Sequence, residues 1–410
     1  MNILLAAYAC EPYNGSEPEV GWQMVTQIAK KLPNDTVYVI TKKNNQEIIE
    51  KEDYPKNLIF YYYELPLWLS FYKKGQRGVR TYYYLWMIAA AIYMKKQKLS
   101  LDIVQHITFV NDWLPSFWFF LKSKQTKFIW GPIGSHDPIH SKFLDGFKRK
   151  LVEGIRIFLQ KVFRNIDPFF YITKNKADCI IGINNEVKRK LNLSDSKLFI
   201  AEPAIAMKKT FIDSIDTNIL KNKKFTILSV GRLMYIKNFK MTILSFSKFI
   251  KNNPEIDTEL KIIGKGEDET MLKELVREEG IENYVNFVGQ IPLNDVFKEF
   301  QQAHLFLFPS LENAGFVFLE AMSFSLPIVG LNYGGAPQFI KSNIEKQLVS
   351  ESGTYEDIVN KLYENIDFFY HNNEERINVG KQNKSDLIQY FTWEAKADKM
   401  IQIYKKLLHE

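Results

Sequence analysis

His304–Gln338 constrains this chain more tightly than any other stretch, because pieces with different structural demands follow one another there with few spare residues. Leu305–Phe308 is an apolar run of strand length, stopped by Pro309. Phe316–Phe324 reads as a helix, and Leu326–Gly330 reads as a second buried strand ahead of Gly334-Gly335. In this reading Glu320 lies on the second turn of the helix and Glu312 in the loop before it. Asn313, Ala314 and Gly315 then sit where backbone N–H groups stand open at a helix N-terminus, a ready site for phosphate or sugar oxygens. Strand, acidic loop, helix, strand and glycine loop together make a ligand cradle at the carboxyl ends of a parallel sheet.

The rest of the chain repeats that alternation. Strands are expected at Asn2–Ala7, Val37–Thr41, Leu58–Tyr63, Asp102–Ile107, Lys127–Trp130 and Asp178–Ile183, with helical stretches between them. At 410 residues the chain exceeds a single typical core, so two domains are expected. The first strand leads into a loop where Asn14-Gly15-Ser16 reads as a tight turn with Gly15 at positive φ. A helix over Val20–Lys31 follows, its N-terminus toward any ligand of that loop. His106 closes the Asp102–Ile107 strand, where open α/β sheets place their ligands, and Trp130–Ser135 forms another glycine loop. Lys208–Lys224 is polar and reads as a linker before the strand that starts at Phe225. That strand ends in Gly231-Arg232, with Lys237 five residues on. Ile262-Ile-Gly264-Lys-Gly266 and Val285–Ile291 are further strand ends.

These motifs in combination resemble retaining glycosyltransferase family 4, through the Glu-x7-Glu pair Glu312 and Glu320 with Phe-Pro-Ser before it, Glu-Ala-Met after it and Gly-Gly-x-Pro downstream. Gly231-Arg232-Leu…Lys237 and the Gly264-x-Gly266 loop are similar to the same family. Gln338 departs from it, since the family has Glu there. The resemblance implies the α/β GT-B fold, two Rossmann-like domains facing each other across a cleft. It divides the chain into an acceptor-side domain over 1–207, a nucleotide-sugar-binding domain over 208–385 and a C-terminal helix over 386–410 that crosses back to the first. Arg232 and Lys237 would stabilise the departing diphosphate, Arg as a bidentate grip and Lys as a point charge. Glu320 would bind the ribose, Glu312 and the backbone of Asn313, Ala314, Gly315 and Phe316 the donor sugar, and Ile291 the nucleobase. Gly264 would line the donor site, and Gly15, Ser16 and His106 would complete it from the first domain.

Other chemistries lack their signatures. There is no Asp-x-Asp, no Gly-x4-Gly-Lys phosphate loop, no Gly-x-Ser-x-Gly elbow and no His-Glu-x-x-His. His136 and His140 have helical spacing, but Pro138 between them argues against a metal site. Neither a metal nor a cofactor is therefore expected. Cys10 and Cys179 offer no disulfide framework, the N-terminus reads as a strand rather than a signal, and the longest apolar run, Tyr82–Met94, is too short to span a bilayer. A cytoplasmic enzyme is expected, working in bacterial surface polysaccharide biosynthesis on a glycan or lipid-linked saccharide acceptor. An epimerase or phosphorylase of the same fold, or a catalytically inactive glycan-binding subunit, is the alternative.

Charge is distributed unevenly. Residues 1–205 carry 29 Lys and Arg against 19 Asp and Glu, and the remainder 25 against 28. No nucleic-acid motif accompanies the basic half, so nucleic acid is not an expected partner. An anionic membrane surface is, with the protein peripheral at the inner face of the cell membrane. Phe147–Arg164 would be the main contact and the aromatic, basic stretch Phe71–Lys98 would lie beside it. The alternative is a helix packed on the sheet with a solvated basic face.

Overall fold

A computed structural model describes residues 1–70, 78–216, 223–313 and 315–409. The chain forms two compact units. The first comprises Met1–Ser135, Gly154–Ala206 and the residues from Trp393 onward; the second comprises His136–Glu153 and Met207–Thr392.

The first unit is built on strands β1 (Asn2–Ala6), β2 (Thr36–Lys42), β3 (Leu58–Tyr63), β4 (Ile103–His106), β5 (Lys127–Ile133), β6 (Cys179–Gly182) and β7 (Phe199–Ala201). All pair in parallel, in the order β3-β2-β1-β4-β5-β6-β7. Alternate residues of each strand point to opposite faces, and both faces are buried, which is why the strands read as apolar runs. Leu4, Ala6, Val104, Phe128 and Trp130 belong to one core, together with Tyr82, Tyr83, Trp86 and Met87 of the helix Val79–Lys96. Ile3, Leu5, Val37, Val39 and Ile103 belong to the other. There they meet Met24, Val25 and Ile28 of the helix Glu17–Lys31, and Ala397, Met400 and Tyr404 of the C-terminal helix Trp393–His409. Lys31 and Asp398 clamp those two helices at 2.6 Å.

Three sequence expectations shift here. The first helix starts at Glu17 rather than Val20, because Pro18 is tolerated in a first turn, where a missing N–H leaves no bond unmade. β5 continues through Gly131-Pro132 to Ile133. Of the aromatics expected beside a membrane contact, Tyr82, Tyr83 and Trp86 are buried in the core; Lys73, Lys74 and Arg77 of that stretch lie outside the described residues. No helix among the described residues is long and apolar enough to cross a membrane.

The second unit repeats the plan with β8 (Phe225–Val230), β9 (Thr258–Ile263), β10 (Val285–Gly289), β11 (Leu305–Leu307), β12 (Ile328–Leu331) and β13 (Leu348–Val349). The order is β10-β9-β8-β11-β12-β13, again all parallel. In both sheets the chain runs outward along one side of its first strand and then restarts on the other side. Each unit is therefore Rossmann-like, with its strand order reversing between β1 and β4 in one sheet and between β8 and β11 in the other. Outside the carboxyl ends of such a pair an α/β sheet leaves room for a ligand.

Candidate functional site

In the second unit the reversal point collects most of the residues singled out by sequence. β8 ends at Val230, and Gly231-Arg232 lead into a tight turn, Tyr235–Lys237, closed by Asn238 at φ 57°. β11 ends at Leu307, and the two loops are fastened together. Leu311 N–H donates to Ile236 O at 2.8 Å, and Asn238 Nδ2 donates to Pro309 O at 3.2 Å. This closure brings Lys237 onto Glu312, with which it forms an ion pair, and places its ammonium 5.5 Å from the centre of the Phe308 ring. Arg232 is exposed and has no ion pair among the described residues.

Gly264 sits at φ 138°, and a Cβ there would lie 1.9 Å from Gly231 O. Its N–H donates to Gly289 O at 2.8 Å, so this glycine lets the loops after β8, β9 and β10 close on one another. Ile291, half-buried, follows Gly289 by two residues.

The helix after β11 spans Phe316–Ser323, with Gly315 at its N-cap and no side chain capping its first turn. Ala314 lies outside the described residues. Open N–H groups and the helix dipole thus face the same loop that carries Glu312. Glu320 retains some exposure, but burial pushes its carboxyl up to about 7. No side-chain donor reaches it among the described residues, so it is a desolvated acceptor ready for hydroxyl donors.

The glycine loop after β12 closes the cradle. Gly334 takes φ 64°, where a Cβ would lie 2.6 Å from Glu312 O, and Gly335 N–H donates to that same oxygen at 2.7 Å. Gln338 is buried and its amide donates to Asn313 O at 3.1 Å and Gly334 O at 3.2 Å. A glutamine here therefore ties the acidic loop to the glycine loop, and an ionised glutamate has no hydrogen to offer either carbonyl.

Sequence reasoning missed the segment His136–Glu153. It folds with the second unit, where Asn313 Nδ2 donates to Asp137 Oδ2 at 3.4 Å and Tyr333 Oη donates to Pro138 O at 2.9 Å. Nothing local in the sequence marks these partners, which lie 176 and 195 residues away.

In the first unit His106 ends β4, buried, with Nε2 hydrogen-bonded to Tyr83 Oη at 2.7 Å. Burial pulls its pKa down to about 3, so the imidazole is neutral. The expectation for Gly15 is corrected: the left-handed residues of that turn are Tyr13 (φ 62°) and Ser16 (φ 61°). The Glu19 carboxylate accepts from Tyr13 N–H at 3.2 Å and holds the turn without help from a glycine, while a Cβ at Gly15 would meet nothing within 4 Å. Glu17, also missed by sequence, accepts from Phe109 N–H at 2.6 Å, and burial raises its pKa. Its position right after Gly15-Ser16 was the one available signal.

Residues 212–386 match the family described as glycosyl transferases group 1. The chain carries a glycosyl transferases group 1 domain. That domain contains Arg232, Lys237, Gly264, Glu312, Glu320 and Gln338. An uncharacterized glycosyltransferase of Haemophilus influenzae is 34% identical over 160 residues, 39% of this chain and 44% of that protein. The amylovoran biosynthesis glycosyltransferase AmsK of Erwinia amylovora is 31% identical over 132 residues, 30% of this chain and 32% of its own length. The chain thus matches less than half the length of either curated relative. Across the full length, the crystal structure of Anabaena HepE in complex with UDP covers 99% of this chain and 100% of that one, with a TM-score of 0.61 at 12% identity. That likeness shows the α/β GT-B fold for the two Rossmann-like units.

Proposed function

We propose that this protein is a glycosyltransferase that moves a sugar from a nucleotide-sugar donor to a glycan or lipid-linked saccharide acceptor, with retention of anomeric configuration. The observation that carries the reading is the joining of Lys237, Glu312 and an uncapped helix N-terminus at the carboxyl ends of β8 and β11. A cation, open N–H groups and a carboxylate are what a diphosphate bearing a sugar needs. The group 1 domain and the UDP bound by HepE support the donor class, and the amylovoran relative supports a setting in bacterial surface polysaccharide synthesis. Since nucleotide sugars are cytoplasmic metabolites, the reaction is placed in the cytoplasm.

In this reading Arg232 and Lys237 hold the diphosphate, and the arriving donor draws Lys237 away from Glu312. The released carboxylate then accepts hydrogen bonds from the sugar. Glu320 accepts from the ribose hydroxyls, which replace the water it lacks. Gly264 and Ile291 line the nucleoside, and Asn313, Gly315 and Phe316 present backbone to the sugar and phosphate. Gly15 and Ser16 contribute to donor binding and His106 to the transfer step, as a neutral hydrogen-bonding group. The acceptor oxygen bonds to the anomeric carbon on the face from which the phosphate leaves, and a phosphate oxygen takes the acceptor's proton. Cationic stabilisation of the leaving group falls to Arg232, Lys237 and the helix N-terminus, so no metal or cofactor enters the proposal.

Incubation with a panel of nucleotide sugars, scored for free nucleoside diphosphate and for the anomeric proton of the product, is the test. Release with one donor and a product of unchanged configuration is expected. Absence of release with every donor, or a product of inverted configuration, would overturn the activity or the stereochemistry respectively.

A further inference from the structure

The helix Gly146–Ile166 is turned the wrong way round for a helix packed on a globular core. From Gly154 onward it belongs to the first unit, yet Ile155 (50% exposed), Phe158 (65%), Leu159 (47%), Phe163 (46%) and Ile166 (72%) stand in solvent. At 3.6 residues per turn they fall within about 140° of arc, a continuous apolar stripe. The opposite side of the same helix carries Arg164 beside the half-buried Ile157: Arg164 Nε donates to Asp112 O at 2.9 Å and its guanidinium pairs with the buried Asp112 carboxylate at 3.2 Å. Arg156 and Lys161 flank the stripe on its two sides.

The surface extends past the helix. Phe163 meets the Trp113 ring at 5.8 Å, and the exposed Arg80 lies 5.1 Å over that ring. On the other side Tyr171, 43% exposed, donates from Oη to Asn165 O at 3.4 Å. The Gly146–Ile166 helix has a single acid, Glu153, which is buried and accepts from Ile139 N–H at 2.9 Å. Arg149, expected among the surface contacts, pairs with Asp268 and so lies apart from this face.

We propose that this face of the first unit docks on an anionic phospholipid surface, the apolar stripe entering the headgroup–acyl boundary and Arg80, Arg156 and Lys161 meeting the phosphates. The placement of charge chooses this occupant. Cations bordering an apolar stripe, with no exposed acid on the helix, match a negatively charged bilayer, whereas a second copy would bring the same cations together. The inference is independent of the transfer reaction.

Co-sedimentation of the full chain with phosphatidylglycerol-containing vesicles and with pure phosphatidylcholine vesicles tests it. Binding to the anionic vesicles is expected, weakening as salt is raised. Arg156→Gln with Lys161→Gln should weaken it about 25-fold, roughly fivefold for each cation. Phe158→Ser with Ile166→Ser should weaken it at least ~100-fold, and as these side chains are exposed the melting temperature should hold. Negligible binding to both vesicle types overturns the proposal, as does binding that the Phe158→Ser, Ile166→Ser variant retains. A dimer in sedimentation equilibrium that this variant dissociates would assign the face to a second copy instead.

Discussion

Lys237 and Glu312, 75 residues apart in sequence, form an ion pair where the loops after β8 and β11 are laced together. The pair joins a candidate phosphate-binding cation to a candidate sugar-binding carboxylate, so a donor that engages either one competes with their ion pair.

Removing the cations should show first in turnover. Lys237→Ala and Arg232→Ala are each expected to lower kcat by roughly 10²- to 10³-fold, the scale for losing one preorganised electrostatic contact at a reacting centre. Arg232 is exposed, so its loss should change stability by less than ~0.5 kcal/mol. Wild-type turnover in both variants would remove them from the leaving-group role.

Glu320 links binding, stability and pH. Its folded pKa of about 7 lies above the ordinary 4.5, so the folded state holds its proton more tightly than the unfolded chain. The cost to stability is absent below pH 4.5, grows as pH rises toward 7 and then stays constant. Glu320→Gln should therefore stabilise the protein by about 1–3 kcal/mol at pH 8 and change little at pH 4. UDP binding should strengthen with pH through 7 in the wild type, as the carboxylate forms, and lose that pH dependence in the variant. Calorimetric titration at pH 6 and pH 8 would show it; an identical profile in both proteins would remove Glu320 from the nucleotide site.

Gln338→Glu restores the residue expected from the family resemblance, yet should destabilise this protein. The new carboxylate would face Asn313 O and Gly334 O, which now accept amide hydrogens at 3.1 and 3.2 Å. A loss of about 1–3 kcal/mol at neutral pH is expected in denaturant unfolding. An unchanged midpoint would mean that the two loops hold together without this tie.

His106 should make the protein acid-sensitive. Its folded pKa of about 3 lies below the ordinary 6.5, so the unfolded chain takes up the proton first. The stability it supports is fully present above pH 6.5 and is lost as pH falls toward 3, about 2 kcal/mol of it by pH 5. His106→Gln should flatten that slope in unfolding curves taken from pH 7 to pH 4. An equally steep slope in the variant would locate the acid sensitivity elsewhere.

The sequence by itself determined most of the strands and their order along the chain. Strands buried on both faces must be continuous apolar runs, and Pro309, Gly231 and Gly334-Gly335 punctuate them, so strand ends, the loops bearing Arg232 and Glu312 and the helix bearing Glu320 were legible. Short-range chemistry sets those features, and short-range chemistry is what a sequence displays directly. Partners distant in the chain were not legible. Only the tertiary structure pairs Lys237 with Glu312, sends His136–Glu153 to the second unit and makes Gln338 a tie between two loops. It also gives the turn at Asn14–Ser16 to the Glu19 carboxylate instead of to Gly15, and buries Tyr82, Tyr83 and Trp86 that composition alone offers equally to a surface. The helix Gly146–Ile166 shows the division best. Its periodicity announces one apolar and one charged face, but which of them faces the protein depends on the buried Asp112 that receives Arg164, and that acid lies 52 residues away in the chain.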